Sequence, residues 1–226
     1  FVYGIWYTSY LILHTIYHTL PLDTAFQILD TPLMLIIFCG TSPFALPSLR
    51  ALATDARFAI DLVITQPYKP VGRKQELTPP PVKALAAEVK LPIVQPTNLN
   101  TEWGTIMSGR QRPDFLVVVS YGQILSQDIL DFPLQAAVNV HASLLPKLRG
   151  ASPIQHAILS GDTITGVTVQ RMVQELDAGP VVAQQEFTLD ARQTAPALHD
   201  ALAQMGAELL IATLVTPLTE KPQDAA

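Results

Sequence analysis

Asn139 and His141 are the pair of residues whose types and spacing best fit a chemical role. They stand two apart at the end of an apolar run, Ala136 to Val140, that predicts a strand. Side chains two apart on a strand point to the same face of the sheet. A neutral amide beside an imidazole can donate hydrogen bonds to an oxyanion. Alternatively, both side chains only cap the strand and stabilise the following turn, and the spacing does not separate these interpretations.

Asp177 is the third candidate for a chemical role. It lies in Glu175-Leu176-Asp177-Ala178-Gly179-Pro180, a predicted turn between two strands. An aspartate in such a turn ordinarily binds nearby backbone N–H groups. In the functional interpretation its carboxylate orients His141 and stabilises the charged imidazole. The two residues are far apart in the chain, so spacing cannot decide between these roles.

The elements around these residues alternate between strand and helix. Early strands are predicted over Met34 to Cys39, Ile60 to Thr65, Leu91 to Val94, Phe115 to Val119 and Ala136 to Val140, with predicted helices after the first three and after the fifth. Such alternation indicates an α/β fold with a Rossmann-like, mostly parallel sheet and helices on both faces. Later strands at Thr165 to Met172 and Val181 to Phe187 predict a mixed edge. No G-x-G-x-x-G follows the first strand, which argues against a dinucleotide cofactor.

Composition excludes several classes of protein. The chain has 226 residues, 49% of them hydrophobic, which excludes a disordered chain. Its single Cys excludes a disulfide framework and any cysteine-clustered metal site. Fourteen Lys and Arg stand against nineteen Asp and Glu, and the basic excess is confined to residues 69–149. Only that middle stretch would attract a polyanion.

The segment Asn-Val-His-Ala-Ser-Leu-Leu-Pro over residues 139–146, with Lys-Leu-Arg-Gly-Ala-Ser-Pro-Ile-Gln after it, resembles the signature of the 10-formyltetrahydrofolate-dependent formyltransferase family. Two further segments, 37–45 and 65–83, resemble the branch of that family that acts on methionyl-tRNA. The resemblance covers Met34 to about Pro217. Two positions depart from the family pattern: Lys74 replaces a glycine, and Ser42 replaces a proline.

The resemblance implies a role for each matching residue. Asn139, His141 and Asp177 match the catalytic trio. The positions that match the folate site are Tyr121, Gly122, Ile124, Ser143, Leu144, Leu145 and Pro146, with Leu145 and Pro146 expected to form an apolar wall. The positions expected to contact tRNA are Arg73, Lys74, Lys147 and Arg149. A solvated basic loop is the alternative for Arg73 and Lys74.

The resemblance also implies an activity. We expect transfer of the formyl group of 10-formyltetrahydrofolate to the amino group of methionyl initiator tRNA, in support of translation initiation, with no metal. The alternatives are a formyltransferase for a small amine, such as an amino sugar or nucleotide, or a folate-binding module without turnover. We expect a cytoplasmic monomer without a membrane partner.

The composition of the two terminal segments predicts the domain boundaries. Residues 1–33 contain no Lys or Arg, and polar residues interrupt their apolar stretch, which fits neither a membrane span nor a signal peptide. We expect residues 1–33 to be an extension outside the fold and residues 34–216 to be the catalytic domain. Residues 217–226 are expected to begin a linker to a C-terminal domain that this sequence lacks.

Overall fold

A seven-stranded sheet organises the part of the chain that this computed structural model describes, residues 33–71, 76–190 and 192–224. Its strands are β1 (Met34–Gly40), β2 (Phe58–Ile64), β5 (Ile93–Val94), β6 (Phe115–Val119), β7 (Ala136–His141), β8 (Ile164–Arg171) and β9 (Val181–Thr188). Their order is β5-β2-β1-β6-β7-β8-β9. Strands β1, β2, β5, β6 and β7 are mutually parallel. Strand β8 pairs antiparallel with β7, and β9 pairs antiparallel with β8. The predicted mostly parallel sheet with one mixed edge is confirmed.

The helices follow the predicted alternation. A 3-10 turn at Pro43–Ala45 leads into α1 (Leu46–Thr54); the others are α2 (Pro81–Glu88), α3 (Leu99–Met107), α4 (Gln127–Leu130), α5 (Pro153–Leu159) and α6 (Ala195–Leu214). Most ends lie within one to three residues of the prediction. The sequence interpretation missed the short helix α4. It also missed a small antiparallel hairpin of β3 (Lys69–Val71) and β4 (Glu76–Thr78).

Two hydrophobic cores cover the two faces of the sheet. Ile36 and Phe38 of β1 belong to the core that also contains residues of α1, α2 and α6. Ile37 and Cys39 belong to the other core, with residues of α3 and α4. All four side chains are fully buried, because a central strand between two helical layers has no face left for solvent. This explains why the strand appears in the sequence as an unbroken apolar run.

The strand that carries the candidate residues packs directly on α6. A Cβ at Gly206 of α6 would come within 2.7 Å of Cγ1 of Val140.

We expect Gly206→Ala to destabilise the protein by roughly 1–3 kcal/mol, because overpacking outweighs the gain in helix propensity. The matched control is Gly104→Ala in α3, where a Cβ would have nothing within 4 Å. That change should stabilise by up to ~1 kcal/mol. Urea unfolding of both variants measures the change in the free energy of unfolding. A change of the same sign in both variants would contradict the packing argument.

Sheet topology places Asn139 and His141 at the carboxyl end of the parallel strands. The carboxyl ends of β1, β6 and β7 lie side by side in a parallel register. Strand β8 runs antiparallel beside β7 and places Gln170 opposite Asn139 and Thr168 opposite His141. Strand β8 ends at Arg171, opposite Val138, and the loop that follows brings the Asp177 carboxylate to 3.6 Å from the His141 ring. Among the helices described, none is long and apolar enough to cross a membrane.

Candidate active site

A cavity of about 670 Å³ lies at the carboxyl ends of β1, β6 and β7. Asn139, His141 and Asp177 all line it, so the fold joins the three residues that sequence spacing could not connect. The apolar part of the lining includes Phe44, Ile154, Met172 and Leu176. Open α/β sheets commonly bind ligands at this end of their strands.

The Asn139 amide is held in one orientation. Its Nδ2 donates to the backbone carbonyl of Val118 at 3.0 Å. Its Oδ1 lies 3.5 Å from Nε2 of Gln170, at the limit of a hydrogen bond. An amide nitrogen carries two hydrogens. One is used by Val118, and the second is the donor that Asn139 can offer to a ligand in the cavity.

The His141 ring lies between two acceptors. Its Nε2 is 2.9 Å from the carbonyl of Leu148, which can only accept a hydrogen bond. Its Nδ1 is 3.6 Å from Oδ2 of Asp177, and both side chains are largely buried. Both ring nitrogens therefore face hydrogen-bond acceptors. For His141 to donate to a ligand, one nitrogen must exchange its present neighbour for that ligand.

The Asp177 carboxylate joins two loops. Its Oδ1 accepts from Nε2 of Gln170 at 2.9 Å, and its Oδ2 accepts from the backbone N–H of Gly150 at 2.9 Å. Both partners lie outside the turn that contains Asp177. Its carboxylate therefore ties that turn to β8 and to the 147–150 loop, while Oδ2 also faces His141.

Two buried polar residues of β8, Gln170 and Thr168, were not predicted from the sequence as site residues. Gln170 is 2% exposed and bridges Asp177 and Asn139. The Thr168 hydroxyl is fully buried, donates to the Ser143 carbonyl at 2.6 Å, and accepts from the Leu145 N–H at 3.1 Å. Both alternate with Val167 and Val169. Buried polar groups need hydrogen-bond partners. The alternation of polar and apolar residues in this strand was therefore the sequence pattern that could have indicated a buried hydrogen-bond network.

The residues predicted to contact folate fall into two groups. Tyr121, Gly122 and Ile124 line the cavity. The other four, Ser143, Leu144, Leu145 and Pro146, are not in its lining. The Ser143 hydroxyl donates to the Lys147 carbonyl at 2.6 Å, and Leu145 is 4% exposed. This second group lies in the turn after β7, which Thr168 of β8 bonds at Ser143 and Leu145.

A narrow cavity of about 90 Å³ continues from the large one and shares Gln123, Ile124, Met172, Leu176 and Asp177 with it. Apolar side chains of Leu125, Leu130 and Met172 line it, together with the polar residues Gln170, Gln174 and Glu175. Apolar walls with a few polar groups are typical of small-molecule sites.

The residues predicted to contact tRNA have partners within the chain where the structure describes them. Nζ of Lys147 lies 2.7 Å from Oδ1 of Asp162. Nε of Arg149 donates to Oε1 of Gln223 at 2.9 Å. Both side chains keep further N–H donors for a phosphate, since an ammonium has three and a guanidinium has five. The other two predicted contacts, Arg73 and Lys74, lie outside the described residues.

Two titratable side chains near the cavity are held neutral. Burial raises the pKa of the Cys39 thiol and of the Tyr121 phenol far above their ordinary values. Both groups therefore keep their protons at neutral pH. Within residues 33–71, 76–190 and 192–224, no group of three or more His, Cys, Asp or Glu side chains could hold a metal ion.

Comparison with known sequences gives consistent similarities. The model of a family described as formyl transferase matches residues 34–214, which begins where β1 begins. A methionyl-tRNA formyltransferase of Halorhodospira halophila is 47% identical over 192 residues, covering 83% of this chain and 61% of that protein. One of Geobacillus sp. (strain WCH70) is 43% identical over 197 residues, covering 84% and 62%. The chain thus spans about three fifths of the length of these curated relatives.

Comparison with solved structures supports the fold. The phosphoribosylglycinamide formyltransferase from Bacillus halodurans superposes with a TM-score of 0.64 at 22% sequence identity, covering 80% of this chain and 92% of that one. At this identity the likeness concerns the arrangement of strands and helices.

Proposed function

The chain belongs to the formyl transferase family, and from this premise we propose that it transfers the formyl group of 10-formyltetrahydrofolate to the amino group of methionyl initiator tRNA. The proposed catalytic domain spans residues 34–216. We propose that it acts as a monomer in the cytoplasm, in support of translation initiation.

One observation carries the proposal: Asn139, His141 and Asp177 line one cavity, where Gln170 links Asn139 to Asp177 and the Asp177 carboxylate lies 3.6 Å from the His141 ring. The relatives at 43–47% identity are named methionyl-tRNA formyltransferases, which favours a charged tRNA as the acceptor. A folate-binding module without turnover has no need for an amide donor, an imidazole and a carboxylate in one cavity.

Asn139 is the donor best placed to stabilise negative charge during transfer. Its Nδ2 is held by Val118 and retains one hydrogen for the oxygen of the formyl group. Because Gln170 fixes the other end of the amide, this donor needs little reorganisation when charge develops.

His141 and Asp177 supply charge and a proton acceptor. The carboxylate and the Leu148 carbonyl stabilise an imidazolium, whose positive charge lowers the energy of an oxyanion in the cavity. Asp177, directly or through water, accepts the proton that the attacking amine must lose. This proton can then pass to the departing nitrogen, so protons balance without a covalent enzyme intermediate.

We propose that the ring system of the formyl donor binds where the narrow cavity joins the large one. When bound, 10-formyltetrahydrofolate supplies the carbon that the amine attacks. We propose that Leu125, Leu130 and Met172 contact its apolar ring faces, and that polar groups of residues 173–176 bind the ring edge. The shared boundary at Asp177 then brings the donor to the catalytic side chains. The larger cavity remains for the acceptor.

Incubation of the purified chain with 10-formyltetrahydrofolate and methionyl initiator tRNA tests the proposal. We expect formylmethionine on the tRNA, detected after mild hydrolysis. Parallel reactions with free methionine, an amino sugar nucleotide and an aminonucleotide serve as comparisons. Turnover of a small amine with none of the tRNA would favour the small-amine alternative. Folate binding by calorimetry without turnover of any amine would favour the binding module.

A further inference from the structure

The segment after α6 returns to the candidate site. Val181 and Lys221 form a two-bond backbone bridge, with both N···O distances 2.8 Å. Oε1 of Glu220 lies 2.5 Å from Nε of Arg171. These contacts anchor residues 220–221 beside β8 and β9, beyond residue 214, where the family match ends.

Gln223 carries this segment into the hydrogen-bond network of the site. Its Nε2 lies 2.6 Å from the carbonyl of Gly179, 2.9 Å from that of Asp177 and 3.3 Å from Oε1 of Gln170. Its Oε1 accepts from Nε of Arg149. Gln223 is half-buried, whereas Lys221, Pro222 and Asp224 around it are exposed.

The direction of these bonds matters for catalysis. A donor from Gln223 at Oε1 of Gln170 leaves Nε2 of Gln170 to face the oxygens of Asp177 and Asn139. If Gln170 turned over, its carbonyl oxygen would face the Asp177 carboxylate, and the two acceptors would repel each other. The amide orientation of Asn139 depends in turn on Gln170.

From these contacts we propose that Gln223 is a positioning residue of the active site. Its two amide hydrogens bond the carbonyls of Gly179 and Asp177, which fixes the 175–179 loop. One of these hydrogens is shared with Oε1 of Gln170 at 3.3 Å, which fixes the amide that holds Asp177 and Asn139. The inference rests on the proposed formyl transfer only for its effect on rate, because the contacts themselves do not depend on the reaction.

Gln223→Glu is the decisive variant. A carboxylate of the same shape still accepts from Arg149, so the link to the 147–150 loop remains. It cannot donate to Asp177, Gly179 or Gln170, and at neutral pH it repels their oxygens. Lys221→Ala is the control, because its exposed side chain is removed while the backbone bridge stays.

Two measurements are made on the full chain. Steady-state kinetics with 10-formyltetrahydrofolate and methionyl initiator tRNA should show a kcat about tenfold lower in Gln223→Glu, since small displacements of catalytic groups are costly. Both KM values should change less than about threefold. Hydrogen–deuterium exchange should become faster in peptides covering residues 173–180. Lys221→Ala should match the wild type in both measurements.

Each outcome decides the inference. Wild-type kcat and wild-type exchange in Gln223→Glu would overturn it, as would an equal loss in Lys221→Ala. Faster exchange with unchanged kcat would show that Gln223 only stabilises the loop, and would also overturn it. If the wild-type chain does not formylate tRNA, the proposed function fails. The exchange data then decide the positioning of the loop by themselves.

Discussion

Asn139→Ala is expected to lower kcat for formyl transfer by on the order of a hundredfold or more, which is the effect of losing one oxyanion donor. The variant removes the Nδ2 hydrogen left over from the bond to Val118 and the acceptor for Gln170. Because Asn139 is only partly buried and is not in either hydrophobic core, the protein should remain folded. Single-turnover formylation with saturating folate and tRNA measures the effect.

Asn98→Ala is the matched control for this variant. Asn98 caps α3, where its Oδ1 accepts from the backbone N–H of Asn100. Its loss should cost about 1 kcal/mol of stability while leaving kcat unchanged. Similar losses of kcat in the two variants would attribute the effect to stability rather than to the oxyanion.

Asp177→Asn is expected to lower kcat by roughly ten- to hundredfold. Hydrogen bonds to charged groups contribute about 1.5–3 kcal/mol, and 1.4 kcal/mol corresponds to a factor of ten. The amide cannot balance the His141 charge. In addition, both Asp177 oxygens accept from donors, Gln170 and the Gly150 N–H, so the new NH₂ must oppose one of them. The measurement is the pH–rate profile of kcat at saturating substrates.

Asp190→Asn provides the control for charge alone. Asp190 is exposed and accepts the Arg192 N–H through Oδ1, a role that an asparagine oxygen can keep. This variant should keep the wild-type profile. If Asp177→Asn also kept it, Asp177 would have no part in the proton transfers that we propose.

The strands and the first part of the site were predictable from the sequence because they depend on local patterns. The predicted bounds of the strand Phe115–Val119 match the structure at both ends. All five of its side chains are buried, so the strand appears in the sequence as an unbroken apolar run. The long helix Ala195–Leu214 was also placed to the residue. Asn139 and His141 were found for a similar reason: period-two spacing at the end of a strand places both side chains on one face.

Contacts between distant segments were decided only by the tertiary structure. Asp177 reaches His141 through the path of the loop between β8 and β9, which spacing along the chain does not encode. The pairing of β8 with β7 sets Gln170 against Asn139. The Leu145 backbone N–H is bound by Thr168, a partner that another strand contributes.

The sequence by itself determined the fold class, the order of most elements and the family to which residues 34–214 belong, because apolar periodicity and short motifs are local properties of the chain. Only the tertiary structure decided which polar side chains meet, which of them point away from the cavity, and that Gln223 reaches the site from beyond α6. Hydrogen bonds between residues far apart in sequence depend on how strands pair and loops return, so no local pattern specifies their geometry.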